Sequence, residues 1–415
     1  MSWIETTMGE IVTTKKGFAF KSTKYVDKGI PIVRVSDYTS DSISDADLKY
    51  YPINEKGNYT DFELHKKDII VQTVGSWQNN PDSVVGKVVR VPYYLEGALL
   101  NQNAVKLSPV ENIDNDYLFY RLKTDEFKGH VLGEARGAAN QASITLETIK
   151  SFKFMLPDYN IQKRIGEILL SYDNLIENNQ KQIKLLEEAA QRLYKEWFVD
   201  LRFPGYENTK IVDGVPDGWK KKPLSDVFEY VRGKSYTSKE LVETGGTLMV
   251  NLKNIKAFGG YNRNAEKRFI GNYKDSQELN AGDLVMGVTD MTQERRLVGH
   301  VAIVPDMNET MMFSMDLIKL IPLSVRKSFL YATMNFGGYS KKISPLANGV
   351  NVLHLKPEAM MNMEMLIPKE EVMDQYDIIF DNYQKKIEIL QKQCDFAVQA
   401  RDRLLPKLMS RELEV

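Results

Sequence analysis

The residues able to do chemistry are few and badly spaced for it. Four histidines, His65, His130, His300 and His354, are scattered along the chain, and none stands at metal-ligand spacing from another histidine or from Cys394, the lone cysteine. No phosphate-cradling glycine loop and no Gly-x-Ser-x-Gly elbow appears. A base-methylating enzyme would need an Asn/Asp-Pro-Pro-aromatic turn, and the nearest string, Asn79-Asn80-Pro81-Asp82, fails it. Asp82 with Glu126 and Lys128 can be written as a nuclease set, but the spacing is too loose to hold a metal. The chemistry left is recognition. Gln72 to Asn80 follows a strand-like run, and Val288 to Arg296 follows another. Their side chains, Thr73, Ser76, Trp77, Gln78 and Asn79 in one and Thr289, Thr292, Gln293, Arg295 and Arg296 in the other, are types that meet base edges: amides pair with adenine and guanidinium with guanine. Lys15, Lys16, Lys21, Arg232, Lys234, Lys341 and Lys342 are candidates for phosphate contacts, which position a reader without specifying sequence.

These loops fall at matching places because the chain repeats. Trp3-Ile4 leads to Lys16-Gly17-Phe18, and about 215 residues later Trp219-Lys220 leads to Arg232-Gly233-Lys234. Each copy has a strand-like run (Ile30 to Val35, Leu248 to Leu252), an Asp turn into a buried strand (Lys67-Asp68, Gly282-Asp283), and a closing apolar-Pro step (Leu156-Pro157, Ile367-Pro368). A period of this size is a duplicated domain, not a solenoid. Strands are expected at Ile30–Val35, Asp68–Val74, Val84–Val91, Ala104–Leu107, Leu284–Val288, His300–Val304 and Leu317–Leu320, with one helix near the end of each copy, Asp116 to Phe127 and Val325 to Met334.

A long helix follows each copy. Ile165, Leu169, Tyr172, Ile176, Ile183, Leu186, Ala190, Leu193 and Trp197 recur in alternating steps of four and three, the seam of a coiled coil, with Asn179 in the one missing position. Tyr376, Phe380, Tyr383, Ile387, Leu390, Cys394, Ala397, Arg401, Leu404 and Leu408 repeat the pattern. Asn179 and Arg401 are polar seam residues and candidates for fixing helix register. Pro406 is expected to kink or end the second helix. Each helix is roughly 40 residues, about 60 Å at 1.5 Å per residue. The expected fold is α+β: two similar globular domains separated by two long antiparallel helices forming a coiled coil, with pseudo-twofold symmetry. The expected boundaries are 1–157, helix 158–203, linker 204–216, 217–368 and helix 369–415.

Bulk properties set the frame. A chain of 415 residues is large enough for two cores. The net charge is −1, yet residues 217–357 carry about 20 Lys and Arg against about 14 Asp and Glu, a local field compatible with a polyanion. A single cysteine excludes an internal disulfide and fits the cytoplasm, and no signal peptide or membrane span is expected. Two similar modules suit a partner with two similar sites, and duplex DNA is the commonest such partner.

The stretch Gln162 to Asn179, continuing through Leu193-Tyr194-Lys195-Glu196-Trp197-Phe198-Val199-Asp200 to Phe203-Pro204-Gly205, closely resembles the central region of the specificity subunits of type I restriction–modification systems. Ala400 to Ser410 is similar to that family's distal region, with Arg411 departing where the family commonly shows glycine. Gly137, Gln141 and Ile144 resemble the end of a target-recognition domain. The resemblance implies a non-catalytic subunit that reads a bipartite DNA site, one half per domain. Its helices would act as a ruler and dock two methyltransferase subunits, and a restriction/translocase subunit would join through these. S-adenosylmethionine, ATP and magnesium would belong to the partners, with no cofactor held by this chain. Half-sites one helical turn apart, roughly 34 Å, would present the same DNA face to both domains. Two other readings remain on the residues alone: a coiled-coil scaffold without DNA contact, and a self-contained methyltransferase or nuclease.

Overall fold

The computed structural model describes residues 3–39, 42–77, 83–138, 141–263, 265–290, 295–350 and 352–415. The chain divides into two compact units, Met1–Asn178 with Cys394–Val415, and Asn179–Gln393. Each therefore holds one globular module and a part of each long helix.

The first module is built on a four-stranded antiparallel sheet in the order Val12–Lys16, Ala104–Pro109, Ile69–Gln72, Val88–Arg90. The second repeats it with Phe228–Arg232, Leu317–Pro322, Leu284–Gly287 and Val301–Ile303. Registers repeat too: Val12 faces Pro109, and Phe228 faces Pro322. The central strands Ile69–Gln72 and Leu284–Gly287 are buried at every position. In both modules the residue before the entry aspartate takes a left-handed conformation, Lys67 at φ 69° and Gly282 at φ 84°. Asp68 then accepts from the His65 N–H and Asp283 from the Asn280 N–H, so the same side-chain-closed turn launches both strands. A second sheet flanks each module. It holds a parallel pair, Ile30–Val33 beside Leu99–Leu100 and Thr247–Val250 beside Met311–Phe313. The opening and closing strands pair, Ile4–Thr7 with Lys153–Leu156 and Lys220–Pro223 with Glu364–Ile367.

Some expected elements shift. The single helix expected at Asp116 to Phe127 is two, Asn115–Leu122 and Asp125–Glu134. Thr124 breaks the run, because its hydroxyl accepts from the Phe127 N–H and starts a new helix. Its counterpart in the second module is Lys327–Phe336. The expected strand Asp68–Val74 splits into Ile69–Gln72 and Val74–Gly75.

The long helices run Tyr159–Tyr194, ending in a π turn at Lys195–Val199, and Glu370–Met409. Asp158 starts the first by accepting from the Ile161 N–H at 3.2 Å. Pro406 does not end the second; it lies in the last turn, where the helix continues to Met409. Arg411 follows at φ 67°, a left-handed conformation that glycine adopts without penalty. In the first unit Ile161, Ile165 and Leu169 share a core with Leu408 and Met409, while the Cys394 thiol approaches the Ile176 carbonyl. The two helix segments there run antiparallel. In the second unit Ala190, Tyr194 and Trp197 pack with Val372, Met373, Tyr376 and Phe380, and Asn179 meets Gln393, again antiparallel. The seam positions read from sequence are buried or half-buried throughout, as a helix pair with an apolar seam requires.

Candidate nucleic-acid interface

The polar loops leave the central sheet where its buried strand ends. In the first module the chain passes from Gln72 through Thr73 into Val74–Gly75, which pairs with Gln141–Ser143, itself paired with Arg136–Ala138. The result is a small three-stranded ribbon whose outer strand is exposed along its whole length. Ser76 and Ser83 bond through their hydroxyls at 2.9 Å, and the Trp77 indole N–H donates to the Ala138 carbonyl at 2.8 Å. In the second module Thr289–Asp290 pairs with Leu353–His354 in the matching place.

Thr73 and Thr289 are not surface residues. Both are buried, at 4% and 3% exposure. Thr73 uses its backbone to join Asn103 and Ile144, and the Thr289 hydroxyl lies 3.3 Å from Nδ1 of His354. The Thr73 hydroxyl is itself buried without a hydrogen-bond partner among the described residues, and neither side chain lies open to solvent. Gln78, Asn79, Thr292 and Gln293 lie outside the described residues. Arg295 is half-buried at φ 54°, and Arg296 is exposed.

The basic candidates sort by partner. Lys15 is bound to Asp61 at 2.9 Å and lies 4.7 Å from the Phe62 ring centre. Arg232 is bound to Glu358 at 2.8 Å. Hydrogen bonds from Tyr230 and then Arg232 hold the Glu358 carboxyl down at about 2. A phosphate would have to displace a carboxylate at either place. Lys16, Lys21, Lys341 and Lys342 are exposed, and Lys342 lies 4.9 Å from the Tyr339 ring centre. Lys234 is half-buried, and its backbone joins the Phe313 carbonyl. Beside these cations a close backbone approach repeats: a Cβ added to Gly17 would lie 2.0 Å from the Asn101 carbonyl oxygen, and one added to Gly233 would lie 2.0 Å from that of Ser314.

The polar seam residues are satisfied. Asn179, 2% exposed, donates to Oε1 of Gln393 at 3.2 Å. Arg401 binds Asp173 at 2.7 Å, and Asp173 also accepts from the Tyr120 hydroxyl of the first module. Sequence reasoning missed Asp173 as the partner, and it missed the ribbon strand Arg136–Ala138. Gly137, quoted for the resemblance, was the signal for that ribbon: its added Cβ would lie 2.0 Å from the Gln141 carbonyl oxygen.

Among the described residues no group of three or more His, Cys, Asp or Glu is placed to hold a metal ion, and no helix is long and apolar enough to cross a membrane.

Comparison with known proteins agrees with this architecture. The family model described as the type I restriction modification DNA specificity domain matches twice, at residues 2–188 and 216–395. The chain is 26% identical over 328 residues to the type I restriction enzyme MjaIX specificity subunit of Methanocaldococcus jannaschii, covering 76% of this chain and 73% of that protein. It is 22% identical over 402 residues to the HindI specificity subunit of Haemophilus influenzae, covering 79% of this chain and 84% of that protein. The crystal structure of a type I restriction–modification S subunit from M. genitalium shares the fold, with a TM-score of 0.59 at 14% identity over 99% of this chain and 96% of that one. The chain belongs to the type I restriction–modification DNA specificity family, and its role is that of a DNA sequence-specificity subunit within a restriction–modification complex.

Proposed function

We propose that residues 1–157 and 217–368 are target-recognition domains, each reading one half of a bipartite duplex sequence, with 204–216 as the linker. The helices, residues 158–203 and 369–415, dock two methyltransferase subunits, through which a restriction/translocase subunit joins. S-adenosylmethionine, ATP and magnesium serve those partners, and the complex works in the cytoplasm. The observation that carries this reading is the duplicated module. The same sheet, entry turn and register are built twice, and each copy sends a polar loop and a ribbon from the end of its central strand. Two copies of a reading surface with different side chains suit two different half-sites. Lys16 and Lys21, which are exposed, supply phosphate contacts in the first domain, and Lys341 and Lys342, also exposed, in the second. Footprinting of the protein with its methyltransferase tests the reading. Two protected segments with an unspecified stretch between them are expected. A single continuous protected half-site would overturn it. Binding must also weaken steeply as salt rises, because phosphate contacts release counterions.

A further inference from the structure

We propose that Arg136 reads a guanine in the half-site bound by the first domain; the inference rests on the reading of that domain given above. Residues 1–157 contain four arginines. Three are committed to carboxylates: Arg34 to Asp37 at 2.7 Å, Arg90 to Asp116 at 3.2 Å, and Arg121 to Glu126. Two of these are also stacked inside the fold, Arg90 4.0 Å from the Phe119 ring centre and Arg121 4.8 Å from that of Phe154. Arg136 is exposed, and its guanidinium makes no hydrogen bond or ion pair with any other described residue.

Its backbone is fixed while its side chain is free. Arg136 faces Ser143 in the ribbon, and the Ser143 hydroxyl donates to the Arg136 carbonyl at 3.2 Å. Two residues on, the Ala138 carbonyl is held by the Trp77 indole. Between them Gly137 lets the two strands approach so closely that no side chain fits. The ribbon's inner strand is anchored to Val74–Gly75, directly beyond the buried central strand. Its outer pair, Arg136–Ala138 with Gln141–Ser143, is a two-stranded element of the kind the major groove admits, and arginine there meets O6 and N7 of guanine with two parallel hydrogen bonds. A contact that only gripped phosphate would need charge but no such fixed backbone.

The second domain repeats the construction with a different side chain. Asn348 bridges His354 as Arg136 bridges Ser143. Gly349 follows, and a Cβ there would lie 1.9 Å from the Val352 carbonyl oxygen. One scaffold thus carries an arginine in one domain and an asparagine in the other at the same place, the side-chain types that distinguish guanine from adenine.

The test is methylation mapping of DNA from cells expressing the chain with its methyltransferase partner, for the wild type and for Arg136→Ala. The wild type is expected to modify a two-part sequence; failure of that would overturn the domain reading itself. Arg136→Ala is expected to relax one G·C position in one half, lowering discrimination there by roughly 5- to 150-fold and leaving the other half unchanged. An unchanged sequence would overturn the role of Arg136. So would a uniform drop in methylation with every position kept, since that marks a phosphate contact, or a relaxed position that is an A·T pair.

Discussion

Replacing Asn179 by leucine is expected to stabilise the helix pair. Asn179 sits in the apolar seam at 2% exposure, and its amide makes one bond, at 3.2 Å, to Gln393. That bond contributes about 0.5–1.5 kcal/mol net. Burying leucine in its place contributes about 1.5–3 kcal/mol. Gln393 is exposed and recovers its lost partner from water, so no buried group is orphaned. The difference favours leucine by about 1 kcal/mol, which for a unit of this size is about 2–4 °C in melting temperature. What leucine removes is specificity, because an apolar seam no longer penalises a shifted register or a second copy of the helix. Thermal unfolding followed by circular dichroism reads the first effect, and sedimentation reads the second as added oligomer. Asn179→Leu melting well below the wild type would show instead that the seam depends on the amide. Asn179→Leu that stays wholly monomeric with native proteolytic resistance would refute the register role.

Asp173→Ala should act in the opposite direction. It strips a partner from both Arg401, 12% exposed at its side chain, and the Tyr120 hydroxyl. A loss of about 2 kcal/mol is expected, below the usual value for a fully buried pair because Arg401 keeps Asp402; a loss under about 0.5 kcal/mol in denaturant titration would contradict the network. Gly17→Ala and Gly233→Ala should destabilise their respective units by similar amounts, about 1–3 kcal/mol each, because in both a backbone carbonyl blocks the new methyl group. Unequal effects would deny the structural equivalence of the repeats. His300 is 6% exposed, neither ring nitrogen has a hydrogen-bond partner among the described residues, and burial pushes its value below the usual 6.5. The unfolded chain then binds the proton first, so stability is full above about 6.5 and falls as the pH drops from there through the lower folded value. His300→Phe should flatten that slope, and an unchanged pH profile would refute the assignment.

The parts legible in the sequence were those set by periodicity and by special backbone positions. The seam from Ile165 to Trp197 spaces its apolar residues as a helix pair needs, and the structure buries them. The repeat was legible because Lys16-Gly17 and Arg232-Gly233, and Lys67-Asp68 and Gly282-Asp283, occupy turns and close approaches that few residues satisfy. Other features depend on contacts far along the chain. Lys15 and Arg232 read as free cations because their partners, Asp61 and Glu358, lie 46 and 126 residues away. Thr73 and Thr289 read as loop residues because composition does not reveal which way a side chain points at a strand end. The ribbon strand Arg136–Ala138 was invisible as a strand, since Arg, Gly and Ala carry no β-branched signal and its one partner, Gln141–Ser143, is held in turn by Val74–Gly75, far along the chain.

The proposed function requires two copies of one reader, each serving half of a target. Sequencing of modified bases in DNA from cells expressing the chain with its methyltransferase tests this most directly. One methylated sequence is expected, made of two specified segments separated by a constant number of unspecified base pairs. A single uninterrupted target, or methylation without sequence preference, would contradict it.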